Sequence, residues 1–276
     1  MLLADATPAL RPLLVGDTAA LTRRLLNAAE PAPWFNFALR HRAARGVLIA
    51  TERLVLPGIL LHWLARKRLL DTLAHDALAA GCRQIVVLGA GLDTLARRLH
   101  GHCACFEMDH PATQAIKRRA FTGGPVLLAA DLLDASPARS LRAEPRYALD
   151  QPALFVAEGL LMYLPPARVA DIMLELAAFA APGSRFAFTF IEERPGTPLG
   201  FHHGRRVAGW WLRRRREPFR WGLARTDADA FAARHGWELA ALSSPEELRR
   251  RFLVPHGLAA APLAVGESIA LVYRRA

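Results

Sequence analysis

Cysteine is scarce in this sequence, with three residues among 276, at Cys82, Cys103 and Cys105. An odd number without paired spacing argues against a disulfide scaffold and fits a reducing compartment. Cys103 and Cys105 alternate along a predicted strand and should face the same side, but no cluster of His or Cys nearby completes a set of metal ligands. We therefore expect no metal site.

Long hydrophobic runs are missing as well. The most apolar stretch, 54–64, is too short to cross a bilayer and lies between Arg53 and Arg66. The first residues carry no basic head before an apolar segment, which argues against a secretory signal. These observations predict a cytoplasmic protein without a membrane partner.

Lysine is nearly absent, because Lys67 and Lys117 are the two lysines among 36 basic residues, while the formal net charge is +11. A basic chain raises the hypothesis of nucleic-acid binding. The arginines are spread along the chain apart from one run, Arg213–Arg216, and such a run is usually a solvated face or a helix end. Nucleic acid is therefore a disfavoured partner.

Apolar periodicity predicts the fold class. Residues 1–80 have helical spacing in the segments 18–30, 36–51 and 57–80, and we expect them to form an N-terminal helical cap. After residue 83, short apolar runs alternate with helical segments, which is typical of a doubly wound α/β sheet whose parallel strands are buried on both faces. The predicted strands are 84–88, 103–108, 125–130, 153–157, 185–190, 237–242 and 268–273.

The last two strands suit an antiparallel edge hairpin, which would make a seven-stranded, Rossmann-like sheet within residues 81–276. Spacing alone does not distinguish it from the six-stranded sheet of a dehydrogenase. Residues 192–225 interrupt the alternation with prolines and glycines, and we interpret them as an insertion after the fifth strand that forms a lid over the active site. Its Trp210, Trp211 and Trp221 would either wall an apolar substrate pocket or anchor the insertion onto the core.

A glycine loop, Gly89-Ala90-Gly91, follows the first predicted strand. Glycine lets the backbone turn tightly and approach a ligand without a Cβ in the way. A dinucleotide fingerprint needs a third glycine at the position of Thr94, so the pyrophosphate of a dinucleotide is disfavoured. A cofactor without phosphate, such as S-adenosylmethionine, tolerates the shorter motif.

Carboxylates follow three neighbouring strands. Glu107 and Asp109 end the second strand, where a carboxylate can accept hydrogen bonds from ribose hydroxyls, although Asp109 also suits the N-cap of the next helix. Asp131 follows the third strand and would accept from an adenine amino group or serve as a turn residue. Glu158 ends the fourth strand, near the switch point where open α/β sheets bind ligands, and would face the positive end of the cofactor.

Three blocks resemble the leucine carboxyl methyltransferase family, which includes bacterial small-molecule O-methyltransferases. They are QIVVLGAGLDT at 84–94, FEMDHP at 106–111 and AEGLLMYL at 157–164. The resemblance spans roughly residues 57–190 and returns in the final strand, 267–273. It implies the seven-stranded sheet of class I S-adenosylmethionine-dependent methyltransferases.

The resemblance also implies roles for single residues in binding the cofactor. They are Gly89 and Gly91 at its methionine part, Asp109 at the ribose, Asp131 and Leu132 at the adenine, and Glu158 near the methionyl end. Arg66 on the preceding helix would bind the cofactor carboxylate, with Arg68 as its substitute, because a guanidinium meets a carboxylate with two hydrogen bonds.

The expected methyl acceptor is an oxygen of a small molecule. A carboxylate acceptor needs no general base, whereas a hydroxyl needs one within hydrogen-bond reach. His202 and His203 are the candidate bases, and Tyr163 would either orient the acceptor oxygen or pack beneath the next helix. The insertion shows no resemblance to the surface that receives a protein phosphatase tail. Two alternatives stay open, an RNA-binding methyltransferase and an NAD-linked or non-catalytic Rossmann protein, and the oligomeric state is not predicted.

Overall fold

The computed structural model describes residues 1–30, 41–202 and 218–274, and these form a mixed sheet flanked by helices on both faces. The strands are β1 (Gln84–Leu88), β2 (Ala104–Asp109), β3 (Val126–Ala129), β4 (Ala153–Ala157), β5 (Arg185–Glu192), β6 (Gly222–Leu223), β7 (Trp237–Ser243) and β8 (Glu267–Arg274). Their order is β3-β2-β1-β4-β5-β8-β7, and the short β6 pairs with β5. The first five strands are parallel, and β8 runs antiparallel between β5 and β7. The predicted doubly wound sheet with an antiparallel edge hairpin is confirmed.

The central strands form because every residue of the β1 and β4 runs is apolar or buried. Side chains alternate between the faces of a strand, so Val86 and Leu88 enter one helical layer while Ile85 and Val87 enter the other. Both layers exclude water from the middle of the sheet. The two-residue β6 was not predicted, since it has too few residues to show a period.

The described helices follow the predicted segments closely. They are α1 (Leu2–Asp5), α2 (Thr18–Ala28), α3 (Arg42–Val55), α4 (Ile59–Ala79), α5 (Leu95–Leu99), α6 (Pro111–Ala120), α7 (Pro137–Arg142), α8 (Pro166–Phe179), α9 (Ala228–Arg234) and α10 (Pro245–Leu248). The first part of the predicted helix 36–51 lies outside the described residues. The observed helix α3 ends later than predicted, at Val55. Pro57 follows, and a proline disfavours helical geometry in the residue before it.

Helix α4, in the predicted N-terminal cap, packs directly against the sheet. Its Leu64 and Leu70 are buried in one cluster with Ile85 of β1 and Val156 of β4. Leu13 from the N-terminal segment joins the same cluster. This packing fixes the position of the polar residues of α4 against the ends of the strands.

No single helix in the described part of the chain is long and apolar enough to cross a membrane. The segments Ala43–Val55 and Ile59–Ala79 pass that test only together, with a 90° bend between them. The second of these segments has nine buried residues, as expected for a core helix of a folded domain.

The antiparallel strand β8 brings a distant residue to the binding edge. Ile191 near the end of β5 is the partner of Glu267, the first residue of β8. Parallel strands β1, β4 and β5 all end at this edge. Glu267 therefore contacts Arg66 and His62, which precede it by 201 and 205 positions in the chain.

Candidate functional site

The glycine loop turns sharply at the end of β1. Gly89 and Gly91 have φ of +61° and +46°, a region that other residues adopt at a cost. A Cβ at Gly89 would lie 2.7 Å from Leu160, so packing itself requires glycine there. A Cβ at Gly91 would meet only the carbonyl oxygen of Gly89, at 3.9 Å. The space beside Gly91 is therefore open, as the predicted approach of a ligand requires.

Asp109 links the glycine loop to the end of β2. Its Oδ2 accepts a hydrogen bond from the backbone N–H of Gly91, and its Oδ1 accepts one from the N–H of His110 at 2.5 Å. The alternative of Asp109 as the N-cap is wrong, because His110 caps α6 and accepts from Ala112 N–H at 3.2 Å. The carboxylate of Asp109 thus lies beside the open side of the loop.

Glu107 pairs with a lysine of the following helix. It is buried under α6, and its Oε2 accepts a hydrogen bond from Lys117 Nζ at 2.6 Å. Burial raises the pKa of Glu107 to about 7, although the nearby Lys117 acts in the opposite direction. Of the two candidate ribose carboxylates, Asp109 is the one that accepts a hydrogen bond from the glycine loop.

Asp131 and Leu132 follow β3 in a turn. Asp131 is exposed, and its Oδ1 accepts from the N–H of Leu133 at 3.0 Å, as the alternative of a turn residue predicted. The side chain of Leu132 is buried, and its carbonyl accepts from Arg168 Nε at 2.9 Å. The turn lies next to the β2 end, since Ala130 N–H donates to Asp109 O at 2.8 Å.

Five ionisable side chains meet between α4, the glycine loop and the ends of β4 and β8. This charged cluster consists of Arg66, Lys67, Asp93, Glu158 and Glu267. Glu158 lies in its centre and accepts from Arg66 Nε at 2.8 Å and from Lys67 Nζ at 2.9 Å. Lys67 also donates to Asp93 at 2.6 Å, and Arg66 Nη1 donates to both oxygens of Glu267 at 2.8 Å.

The cluster carries two positive and three negative groups, with a formal charge of −1. Burial disfavours the charged forms, but the ion pairs outweigh it. Burial would raise the pKa of Glu267, yet Arg66 and His62 lower it to about 2. Lys67 likewise lowers the pKa of Asp93 to about 2, against the effect of burial. Asp93 and Glu267 therefore stay ionised at neutral pH.

Four residues of this site were missed in the sequence. They are His62, Lys67, Asp93 and Glu267. His62 and Glu267 are fully buried, and His62 Nε2 donates to Glu267 Oε2 at 2.6 Å. The i, i+4 spacing of His62 and Arg66 on α4 was an available signal, because such residues share one helix face.

Aromatic rings line the route from this cluster to the insertion. Tyr163 packs on Phe219 with ring centroids 5.4 Å apart, and Phe219 lies 6.4 Å from Phe201. Phe201 in turn meets the ring of His62 at 5.6 Å. Tyr163 therefore contacts the end of the insertion. This contact was not part of either predicted role, which were to orient the acceptor oxygen or to pack beneath the next helix.

Both described ends of the insertion are held at the same edge of the sheet. His202 N–H donates to Val265 O at 2.7 Å, and Arg220 N–H donates to Met162 O at 2.8 Å. Trp221 is buried, with its ring 6.3 Å from Phe190. Of the two interpretations of Trp221, the structure supports the anchor. The other predicted residues of the insertion, His203, Trp210, Trp211 and Arg213–Arg216, lie outside the described residues.

The cysteines are free in the structure, and Cys103 and Cys105 face the same side with their sulfur atoms 3.5 Å apart. Within residues 1–30, 41–202 and 218–274, no three His, Cys, Asp or Glu side chains form a group that could hold a metal ion. The predicted geometry of the pair is confirmed.

Comparison with known sequences gives a family. The model of the leucine carboxyl methyltransferase family matches residues 3–177. A protein of Mycolicibacterium smegmatis named as an S-adenosyl-L-methionine-dependent methyltransferase is 32% identical over 206 residues, which are 68% of this chain and 66% of that protein. The matched region thus spans just under two-thirds of that relative. A relative of the same name from Mycobacteroides abscessus is 32% identical over 237 residues, 78% of this chain and 74% of its own.

Two solved structures share the fold. A DUF574 family protein from Streptomyces avermitilis has a TM-score of 0.58 at 16% identity, over 78% of this chain and 84% of its own. A protein from Thermobifida fusca named as a methyltransferase has a TM-score of 0.56 at 17% identity, over 93% and 94%. These identities speak for the fold alone, whereas the family match covers more than half of the chain. The chain belongs to the leucine carboxyl methyltransferase family.

Proposed function

We propose that the protein is an S-adenosylmethionine-dependent methyltransferase that methylates an oxygen of a small molecule. The observation that carries the proposal is the meeting of the open glycine loop, Asp109 and the charged cluster at one edge of the sheet. S-adenosylmethionine has one net positive charge, since its sulfonium and ammonium outnumber its carboxylate. The formal charge of −1 on the cluster complements it.

The residues present fit this cofactor. Gly91 leaves room for the methionyl part, and Asp109 supplies a carboxylate for the ribose hydroxyls in place of its two backbone partners. Asp131 and Leu132 border the place proposed for the adenine. These assignments agree with the roles that the family resemblance implies.

Arg66 and Glu158 are proposed to hold the amino-acid end of the cofactor. Arg66 Nη2 makes none of the hydrogen bonds found among the described residues, while its Nε and Nη1 are taken by Glu158 and Glu267. Nη2 is therefore the donor available for the cofactor carboxylate. Glu158 keeps acceptor capacity for the ammonium group, because a carboxylate has about four lone-pair sites.

The cofactor supplies an already activated methyl group, so the protein mainly orients the acceptor and excludes water. A carboxylate acceptor needs no further help from the chain. A hydroxyl acceptor needs a base, and His202, with its backbone bound to Val265, stays the proposed candidate together with His203. Tyr163 is proposed to orient the acceptor from the aromatic wall that it shares with Phe219.

The insertion is proposed to be a lid over the acceptor. The hydrogen bonds of His202 and Arg220 to the binding edge support this, because they fix both described ends of the insertion there. Trp211→Ala should then lower turnover with the true acceptor and leave cofactor affinity nearly unchanged. Equal losses of cofactor and acceptor affinity would refute the lid.

Calorimetric titration with S-adenosylmethionine tests the cofactor, with NADH as the competing ligand. Gly91→Ala should abolish or strongly weaken binding, because its Cβ would occupy the open side of the loop. Gly81→Ala is the matched control, since Gly81 also has a positive φ, of +101°, and open space but precedes β1 at the opposite edge. Both variants should lose stability through backbone strain of about 1 kcal/mol, so only a difference in binding separates them.

Release of S-adenosylhomocysteine with a panel of small carboxylates and phenols then tests the reaction. Turnover with carboxylates alone would identify an acceptor that needs no base. If phenols are turned over, His202→Ala or His203→Ala should lower the rate of S-adenosylhomocysteine release. Binding of NADH without binding of S-adenosylmethionine would refute the proposed function.

A further inference from the structure

We propose that Glu267 is a positioning residue that holds Arg66 so that its Nη2 faces the carboxylate of the cofactor. The proposal rests on the proposed function, in which Arg66 binds that carboxylate. It assigns a role to a residue for which the family resemblance implied none and which lies outside residues 3–177, the part matched by the family model.

The geometry of Arg66 carries the inference. A guanidinium has three nitrogens in one plane, so fixing two of them fixes the third. Nε is held by Glu158 Oε1 and Nη1 by both oxygens of Glu267, each at 2.8 Å. Nη2 lies beside Gly159, where a Cβ would be 3.8 Å from Nη2 and 3.9 Å from Nη1. The two carboxylates thus determine where Nη2 is directed.

Glu267 can perform this task because its own position is fixed. It is fully buried at the start of β8, and the register of β8 with β5 sets its height at the sheet edge. His62 Nε2 donates to its Oε2 at 2.6 Å from one helical turn before Arg66. The carboxylate is therefore held between two residues of one face of α4.

Glu267 cannot contact the ligand directly. Its side chain has no solvent exposure, whereas that of Arg66 is 13% exposed. Arg66 is therefore the group that a ligand can reach, and Glu267 acts through it. A purely structural role would lower stability and affect all ligands alike, which gives the proposal a clear test.

The test compares S-adenosylmethionine with its decarboxylated analogue, which keeps the sulfonium and the adenosine but lacks the carboxylate. Calorimetry on Glu267→Gln should show at least about tenfold weaker binding of S-adenosylmethionine. Binding of the analogue should change by less than about twofold. Glu192→Gln is the matched control, because Glu192 is another buried carboxylate at this edge, with Ser268 as its partner, and should leave both affinities unchanged.

Arg66→Lys separates this inference from the proposed function. Lysine keeps the positive charge but has a single nitrogen in place of the three of the guanidinium. The variant should therefore lose most of the preference for S-adenosylmethionine over its decarboxylated analogue. Glu267→Gln added to Arg66→Lys should then change that preference no further. If Arg66→Lys retains the full preference, the assignment of Arg66 fails, and the inference fails with it.

If Arg66→Lys loses the preference while Glu267→Gln retains it, only the positioning role is refuted. Equal weakening of both ligands by Glu267→Gln also refutes it. Circular dichroism and thermal melting establish that each variant is folded. Should Glu267→Gln not fold, Glu267→Asp, which keeps the charge but shortens the reach to Arg66, is measured against the same two outcomes.

Discussion

Two buried carboxylates on the same face of the sheet, Glu107 and Glu267, are paired with cations in different ways. Glu107 accepts one hydrogen bond from one cation, Lys117. Glu267 accepts three, two from Arg66 and one from His62. The pKa is raised to about 7 in Glu107 and lowered to about 2 in Glu267. The number of donors thus decides whether a buried carboxylate stays charged at neutral pH.

The two regions therefore differ in whether the carboxylate can become protonated near neutral pH: Glu107 can, and Glu267 cannot. Glu107 can take up a proton near neutral pH when its partner is lost. Glu267 and Glu158 share Arg66, and without it Glu267 would keep the hydrogen bond from His62 and Glu158 the one from Lys67. We infer that the Glu107–Lys117 pair mainly packs α6 against the sheet, whereas the charged cluster is built to present fixed charges to a ligand.

Removal of the cation from each region should give the largest effect. Arg66→Ala should lower the free energy of unfolding by about 3–5 kcal/mol, because it breaks the ion pair of the fully buried Glu267. Lys117→Ala should cost only about 1–2 kcal/mol at pH 7, since Glu107 can then be protonated. Urea unfolding measures both, and equal losses would break the comparison.

The two regions should also differ in how they bind the cofactor. Arg66→Ala should weaken S-adenosylmethionine binding by about 1.5–3 kcal/mol, the range for a hydrogen bond to a charged group. Arg66→Lys should recover only a part of this loss. Lys117→Ala should change binding by less than about 0.5 kcal/mol, because Lys117 faces Glu107 under α6. Calorimetry checks this, and a large effect of Lys117→Ala would place the cofactor elsewhere.

The dependence of stability on pH should have opposite signs in the two regions. The folded pKa of Glu107 lies above its ordinary value of 4.5, so the folded state holds the extra proton and its contribution falls as the pH rises from 4.5 to about 7. The folded pKa of Glu267 lies below 4.5, so its contribution is present above pH 4.5 and is lost as the pH falls towards about 2.

Unfolding midpoints of Glu107→Gln and Glu267→Gln across pH 3 to 7.5 measure these two contributions. Relative to the parent protein, Glu107→Gln should gain stability as the pH rises above 4.5. Glu267→Gln should instead lose relative stability as the pH rises towards 4.5. Profiles that run parallel for the two variants would contradict the assignment of their charge states.

The sequence was sufficient for the parts of the fold and site that depend on local patterns. The runs of β1 and β4 were predicted correctly because buried parallel strands are continuously apolar. The glycine loop and Asp109 were found because they follow strand ends directly. Arg66 was found only through the family resemblance.

The parts of the site that the sequence did not predict depend on contacts between residues far apart in the chain. Glu267 pairs with Arg66 across 201 positions, and no local period announces such a contact. Glu107 shares the strand face of Asp109, yet its carboxylate pairs with Lys117 from the next helix. His110 rather than Asp109 caps α6. The sequence could not choose between these two neighbouring residues, because either side chain can accept a hydrogen bond from the first turn of the helix.

The most direct test of the central claim is a calorimetric titration of S-adenosylmethionine into the parent protein and into Asp109→Ala. Asp109 is suited to this because it joins the glycine loop to β2 without belonging to the charged cluster. We expect one-to-one binding in the micromolar range or tighter for the parent and a loss of at least about tenfold in the variant. Absence of binding in the folded parent, or equal affinity in both proteins, would contradict the placement of the cofactor at this edge of the sheet.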